Sequence, residues 1–144
     1  MTRSETAVAF FSGGNNCAQA VFAAFKDLTH INRETSFKIA YALGGGMGRT
    51  NSVCGAFSGA LLVIGSLAQS NTPDNAEKER IYALTREFSG KFNEKYKTNI
   101  CGDILGVNIS VQEQRDKAKE MGLFESICPE AVRTAVEILE ELLK

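Results

Sequence analysis

The sequence predicts an all-α fold, a compact bundle of about five to seven helices with one glycine-rich loop. Apolar residues recur at spacings of three and four, and scarcely ever alternate, through segments rich in Ala, Leu, Glu, Lys and Phe. Proline occurs only at Pro73 and Pro129, each next to an expected helix start. A length of 144 residues, with 44% apolar and 23% charged, suits one globular domain over residues 1–144 that has no need of disulfides.

The first helix is expected at Ser4–Phe11. Ser12-Gly13-Gly14-Asn15-Asn16 then ends one helix with Gly and opens the next with Asn as N-cap, giving a second at Cys17–Leu28. Periodicity places a third at Arg33–Leu43 and a fourth at Gly55–Gln69. Asn71-Thr72-Pro73-Asp74 supplies a cap, a Pro at the first helical position and an acid in the first turn of a long helix, Pro73–Tyr96. A sixth is expected at Val111–Met121. The last, Pro129–Leu143, carries Ala131, Val132, Ala135, Val136, Leu139 and Leu142 as a wide apolar stripe, suited to the core or to a homodimer seam.

Charge and hydropathy exclude several functions. The formal net charge is −1 with no Lys/Arg block, so there is no footprint for nucleic acid or an anionic membrane. The longest nearly uncharged apolar stretch, Ala56–Ala68, falls short of the roughly 20 residues of a membrane span. The first residues lack a long apolar core and a small-residue cleavage site, which points to the cytoplasm. No acid–base pair or Ser/His/Asp set is visible, and the single histidine, His30, sits in a loop as a solvated residue.

The candidate chemistry lies in four cysteines, Cys17, Cys54, Cys101 and Cys128. None forms a CxxC pair, so thioredoxin-type, haem-attachment and common zinc spacings are absent. Cys17, Cys54 and Cys128 each fall at an expected helix start, and Cys101 lies in the turn Ile100–Gly106, which is able to open a helical turn of its own. Helix N-termini stabilise thiolates, lowering the pKa from about 8.5 to roughly 3.5 to 7.5 in favourable cases. Thiolates are both the nucleophile of disulfide exchange and the ligand of soft metals. The plain alternative is four inert, buried core thiols.

The stretch Leu43–Ala60 contains Gly44-Gly45-Gly46-Met47-Gly48-Arg49 and then Cys54-Gly55-Ala56-Phe57-Ser58-Gly59-Ala60. It matches neither GxxxxGK[ST] nor GxGxxG, so nucleotide binding is not indicated. The glycines permit positive φ and close backbone approach beside a site, with Gly46, Gly48 and Gly55 as its flanking residues. Gly55 and Gly59 give a small face for tight helix packing beside the cysteines. Arg49, the one charge in the segment, is either a solvated loop residue or a countercharge to a thiolate centre.

Taken in order, Asn16-Cys17-Ala18-Gln19-Ala20-Val21, Gly44–Gly48, Cys54–Ala60, Cys101-Gly102-Asp103-Ile104-Leu105-Gly106 and Cys128-Pro129-Glu130-Ala131-Val132 resemble the landmarks of the redox-active C_GCAxxG_C_C proteins over nearly the whole chain. That family is in turn similar to a domain of split-Soret-type cytochromes, in which an iron–sulfur centre accompanies haem. The resemblance implies Cys17, Cys54, Cys101 and Cys128 as redox residues and as ligands of a [2Fe–2S] or [4Fe–4S] cluster. It does not imply haem, because no CxxCH is present. Thiol–disulfide exchange between cysteine pairs without a cofactor, and a structural zinc site, are the alternatives. A redox partner protein is implied by the first two.

Overall fold

A computed structural model describes residues 1–144, and it is all-α. The helices are α1 (Arg3–Ser12), α2 (Cys17–Ala23), α3 (Lys26–Thr29), α4 (Arg33–Ala40), α5 (Gly44–Arg49), α6 (Gly55–Ser66), α7 (Asn75–Tyr96), α8 (Cys101–Leu105), α9 (Gln112–Glu120), α10 (Leu123–Ser126) and α11 (Cys128–Leu142), with a 3-10 turn at Tyr41–Leu43. No helix is long and apolar enough to cross a membrane.

Short α2 is the hub. Asn16 opens it with a reciprocal cap, its side chain accepting from the Gln19 N–H while the Gln19 side chain accepts from the Asn16 N–H. The spare amide donors of the two residues then reach Tyr41 O and Phe37 O, tying α2 to α4 and the turn that follows it. Every residue from Ala18 to Ala23 is buried. Helices α1, α4, α6 and α11 all pack against it.

The apolar stripe of α11 is spent inside the chain: Ala131, Val132, Ala135, Val136 and Leu139 belong to the same core as Val21, Phe22, Val63 and Ile64. Long α7 closes that core by inserting Phe88 and Phe92, whose rings meet Phe57 edge-on at 5.4 and 5.3 Å. Each fully buried ring of this kind stabilises the fold by roughly 1.5–3 kcal/mol relative to exposure.

Several helix boundaries differ from the sequence expectation for local reasons. The expected Cys17–Leu28 helix breaks at Phe25, which leaves helical geometry (φ −104°, ψ 24°) and buries its ring, with the Arg3 guanidinium 5.1 Å from the ring centroid. α4 tightens into the 3-10 turn after Ala40, short of Leu43. α6 stops at Ser66, whose hydroxyl donates to Leu62 O at 2.6 Å. The cap of α7 is Asp74, which accepts from Glu77 N–H, so Pro73 stands before the helix and not in it. α10 was not expected at all, its few residues carrying too little periodicity.

α6 crosses α2 with almost nothing between the backbones. A Cβ on Gly59 would stand 2.7 Å from Ala18 O and 2.9 Å from Ala18 Cα, and one on Gly55 3.0 Å from Ala18 N. Gly59→Leu is therefore expected to overpack the crossing and cost about 1–3 kcal/mol. A thermal melt checks this, with Gly90→Leu on the open face of α7 as the comparison; equal melting of the two variants would show that the crossing is not close packed.

Candidate functional site

The four cysteines come from four separated segments, and each stands at the start of a helix. Cys17, Cys101 and Cys128 are the first residues of α2, α8 and α11, and Cys54 is the N-cap of α6. The helix expected from Pro129 begins one residue earlier, at Cys128, with Pro129 following inside the first turn. All four line one cavity of about 100 Å³, whose walls are otherwise almost entirely apolar, among them Phe11, Ile104, Ile109, Phe124 and Ile127.

Three backbone devices bring these starting points together. The α2–α6 crossing sets Cys54 beside Cys17, because Gly55 leaves only 3.1 Å between its own Cβ position and Cys17 Cβ. A single antiparallel bridge, Val53 with Ile100, aligns Cys54 with Cys101. Across it Cys54 N–H donates to Asn99 O at 2.6 Å and Cys101 N–H to Ser52 O at 2.8 Å. Packing of α11 on α2 supplies Cys128.

The glycine segment forms the fourth side. Gly45, Gly46, Met47, Gly48 and Arg49 have φ of 66°, 65°, 66°, 73° and 67°, so α5 contains a full turn of left-handed helix. L-residues resist this by roughly 1–2 kcal/mol each, which falls on Met47 and Arg49 but not on the glycines. The turn is held by the Gly46 carbonyl, which accepts from Thr50 Oγ1 and from Ser52 N–H, both at 2.9 Å. Gly46 itself is buried, and a Cβ there would stand 2.8 Å from Cys101 Cβ.

Of the flanking residues expected from sequence, Gly55 lines the cavity and Gly46 presses on Cys101. Gly48 and Arg49 stand on a neighbouring outer groove. Gly45 lines both. Asn51 was not singled out, yet it abuts Gly102 and accepts from Ile109 N–H at 3.3 Å, fixing the chain after α8 to the cavity wall. An Asn three residues beyond a glycine run, tolerant of positive φ, is the one signal the sequence offers for it (φ 62°). His30 caps α3 in the exposed loop and takes no part.

Burial and charge set the thiol chemistry. Desolvation pushes Cys54 up to about 11, although the N–H groups of Ala56 and Phe57 at the start of α6 pull the other way. Burial pushes Cys101 to about 12, reinforced by Cys54 and Cys128. Helix-start placement therefore does not by itself make these thiolates, because loss of water outweighs the N-terminal N–H groups. Cys17 and Cys128 behave as a pair: a hydrogen bond between them holds the Cys128 thiol below its ordinary value and raises Cys17. Cys128 is thus the first to ionise.

All four cysteines are free thiols, and no three His, Cys, Asp or Glu side chains stand in the close grouping of a single-ion site.

The family model described as "Putative redox-active protein (C_GCAxxG_C_C)" matches residues 15–142, so the chain belongs to that family, and redox activity is the class of function the family carries. No curated protein and no solved structure matches the chain.

The pairing makes a measurable difference. In a pH series of alkylation on the reduced protein, read by mass at each cysteine, Cys128 is expected to react at lower pH than Cys54 or Cys101. Cys17→Ala removes its hydrogen-bond donor and is expected to move the Cys128 midpoint upward. An unchanged midpoint would show that the helix start alone activates Cys128.

Proposed function

We propose that the protein is an electron-transfer or redox-sensing protein in which Cys17, Cys54, Cys101 and Cys128 hold an iron–sulfur cluster of the [2Fe–2S] or [4Fe–4S] kind. The observation that carries this reading is the convergence of four helix-start cysteines on one apolar cavity. When bound, such a cluster supplies one-electron transfer at a potential set by its protein surroundings.

What the chain contributes follows from its own residues. At Cys54 the N–H groups of Ala56 and Phe57 at the start of α6 favour the anionic form a ligand must take. The walls from Phe11, Ile104, Ile109, Phe124 and Ile127 keep water away, which limits hydrolysis of a centre and tunes its potential. Because Cys54 and Cys101 ionise only well above neutrality, loading must release their protons, and it is favoured as pH rises.

A second reading has its own support. The hydrogen-bonded Cys17 and Cys128 form a nucleophile and its resolving partner, as thiol–disulfide exchange requires. In that reaction the Cys128 thiolate attacks a partner's disulfide and expels one thiolate. Cys17 then displaces the second, closing Cys17–Cys128 while the partner takes two electrons. Under either reading the protein works with an electron partner in the reducing cytoplasm.

Anaerobic purification with a visible spectrum and iron, labile-sulfide and zinc analysis tests the choice. Iron and sulfide together, lowered by Cys→Ala at each of the four positions, are the expected result. Zinc alone would overturn the cluster. No metal, with a Cys17–Cys128 disulfide formed on mild oxidation, would establish the exchange reading instead.

A further inference from the structure

The cysteine cavity has a second chamber beside it. A polar groove of about 910 Å³ runs between the left-handed turn of α5 and helix α9, and it shares Asn16, Gly45, Ile109 and Phe124 with the cavity wall. The groove is within the size range of small-molecule clefts, roughly 300–1,000 Å³. Its polar lining suits a hydrophilic occupant.

The groove gathers three cations along one wall, two of them tied to the residues it shares with the cavity. In the groove Arg49, Arg115 and Lys119 have no carboxylate within ion-pairing distance, although Asp116 and Glu125 line the same groove. Arg115 is held in place by donating to Ile109 O at 2.9 Å, and Ile109 lies between groove and cavity. Arg49 occupies a left-handed conformation that arginine resists, and this lays its Cγ 3.1 Å from the Cβ position of Gly45, the residue both chambers share. Backbone strain of this kind collects where a side chain must be aimed.

We infer that this groove is the docking site of a small anionic redox molecule, bearing carboxylate or phosphate groups, which exchanges electrons with the cysteine centre through the wall at Gly45 and Ile109. The inference rests on the redox reading above. Arg49 and Lys119 draw the anion in, and Arg115 fixes it against that wall. Each electron leaves the centre and enters the bound molecule. Where the centre is the Cys17–Cys128 dithiol, two electrons and two protons leave as the S–S bond forms.

The test compares two outer-sphere oxidants, the trianion ferricyanide and the trication hexaammineruthenium(III), each accepting one electron from the reduced protein in stopped flow. Arg49→Glu with Lys119→Glu is expected to slow ferricyanide roughly tenfold relative to hexaammineruthenium, with the difference fading in high salt. Lys26→Glu with Arg33→Glu, on a groove sharing none of these residues, makes the same change in net charge and is expected to leave the ratio unchanged. Should the charge reversal unfold the protein, Arg49→Gln with Lys119→Gln is read instead. An unchanged ratio, or an equal loss in the control variant, would overturn the groove assignment while leaving the redox reading intact. If the wild-type protein reduces neither oxidant, the redox reading itself fails and the groove assignment with it.

Discussion

The site depends on a contact made possible by absent side chains, the crossing of α2 and α6 at Ala18, Gly55 and Gly59. Two helices carrying ordinary side chains keep their axes 8–10 Å apart. Here the Gly59 Cα faces the Ala18 backbone directly, which lowers α6 onto α2 until Cys54, the N-cap of α6, and Cys17, the first residue of α2, border one cavity. The remaining two thiols are added to that corner by independent means. Cys101 comes through the Val53–Ile100 bridge and Cys128 through the packing of α11 on the hub. Widening the crossing would separate the pair against which the other two are set.

That geometry creates a conflict in which the chemistry resides. Four helix starts favour negative charge, while walls of Phe, Ile and Leu side chains oppose it. Burial prevails at Cys54 and Cys101, which are held protonated. At the Cys17 and Cys128 pair a hydrogen bond lowers Cys128 and raises Cys17, so negative charge in the cavity is favoured first at Cys128. Each further thiolate in the same apolar cavity is opposed both by desolvation and by the charge already there.

Much of this was legible in the sequence, because its signals are local. Periods of three and four gave the long helices, Asn16 marked the cap of α2, and each cysteine could be placed at or near a helix start. The close face of Gly55 and Gly59 followed from residue size alone. What escaped depends on contacts across the chain. Nothing near Phe25 announces a helix break, since the break exists to bury that ring beneath Arg3. Cys54 and Cys101 are raised by burial in a cavity walled by residues from several separate segments, and Cys128 is lowered by its hydrogen bond with Cys17, which lies far away in sequence. The glycine run promised positive φ, but not that Met47 and Arg49 would share it.

That continuation into non-glycine residues indicates what the turn is for. Had the chain needed only room beside Cys101, Gly46 with its missing Cβ would suffice, and the backbone could relax at Met47. Instead the left-handed path runs through Arg49 and is secured by Thr50 and Ser52 on the Gly46 carbonyl. Net hydrogen bonds of about 0.5–1.5 kcal/mol each are of the same order as the strain at the two L-residues. The inner edge of the turn is therefore fixed by Cys101 and its outer edge by the direction imposed on Arg49. A single strained element thus borders both chambers, with Gly46 against Cys101 on its inner edge and Arg49 on the groove at its outer edge.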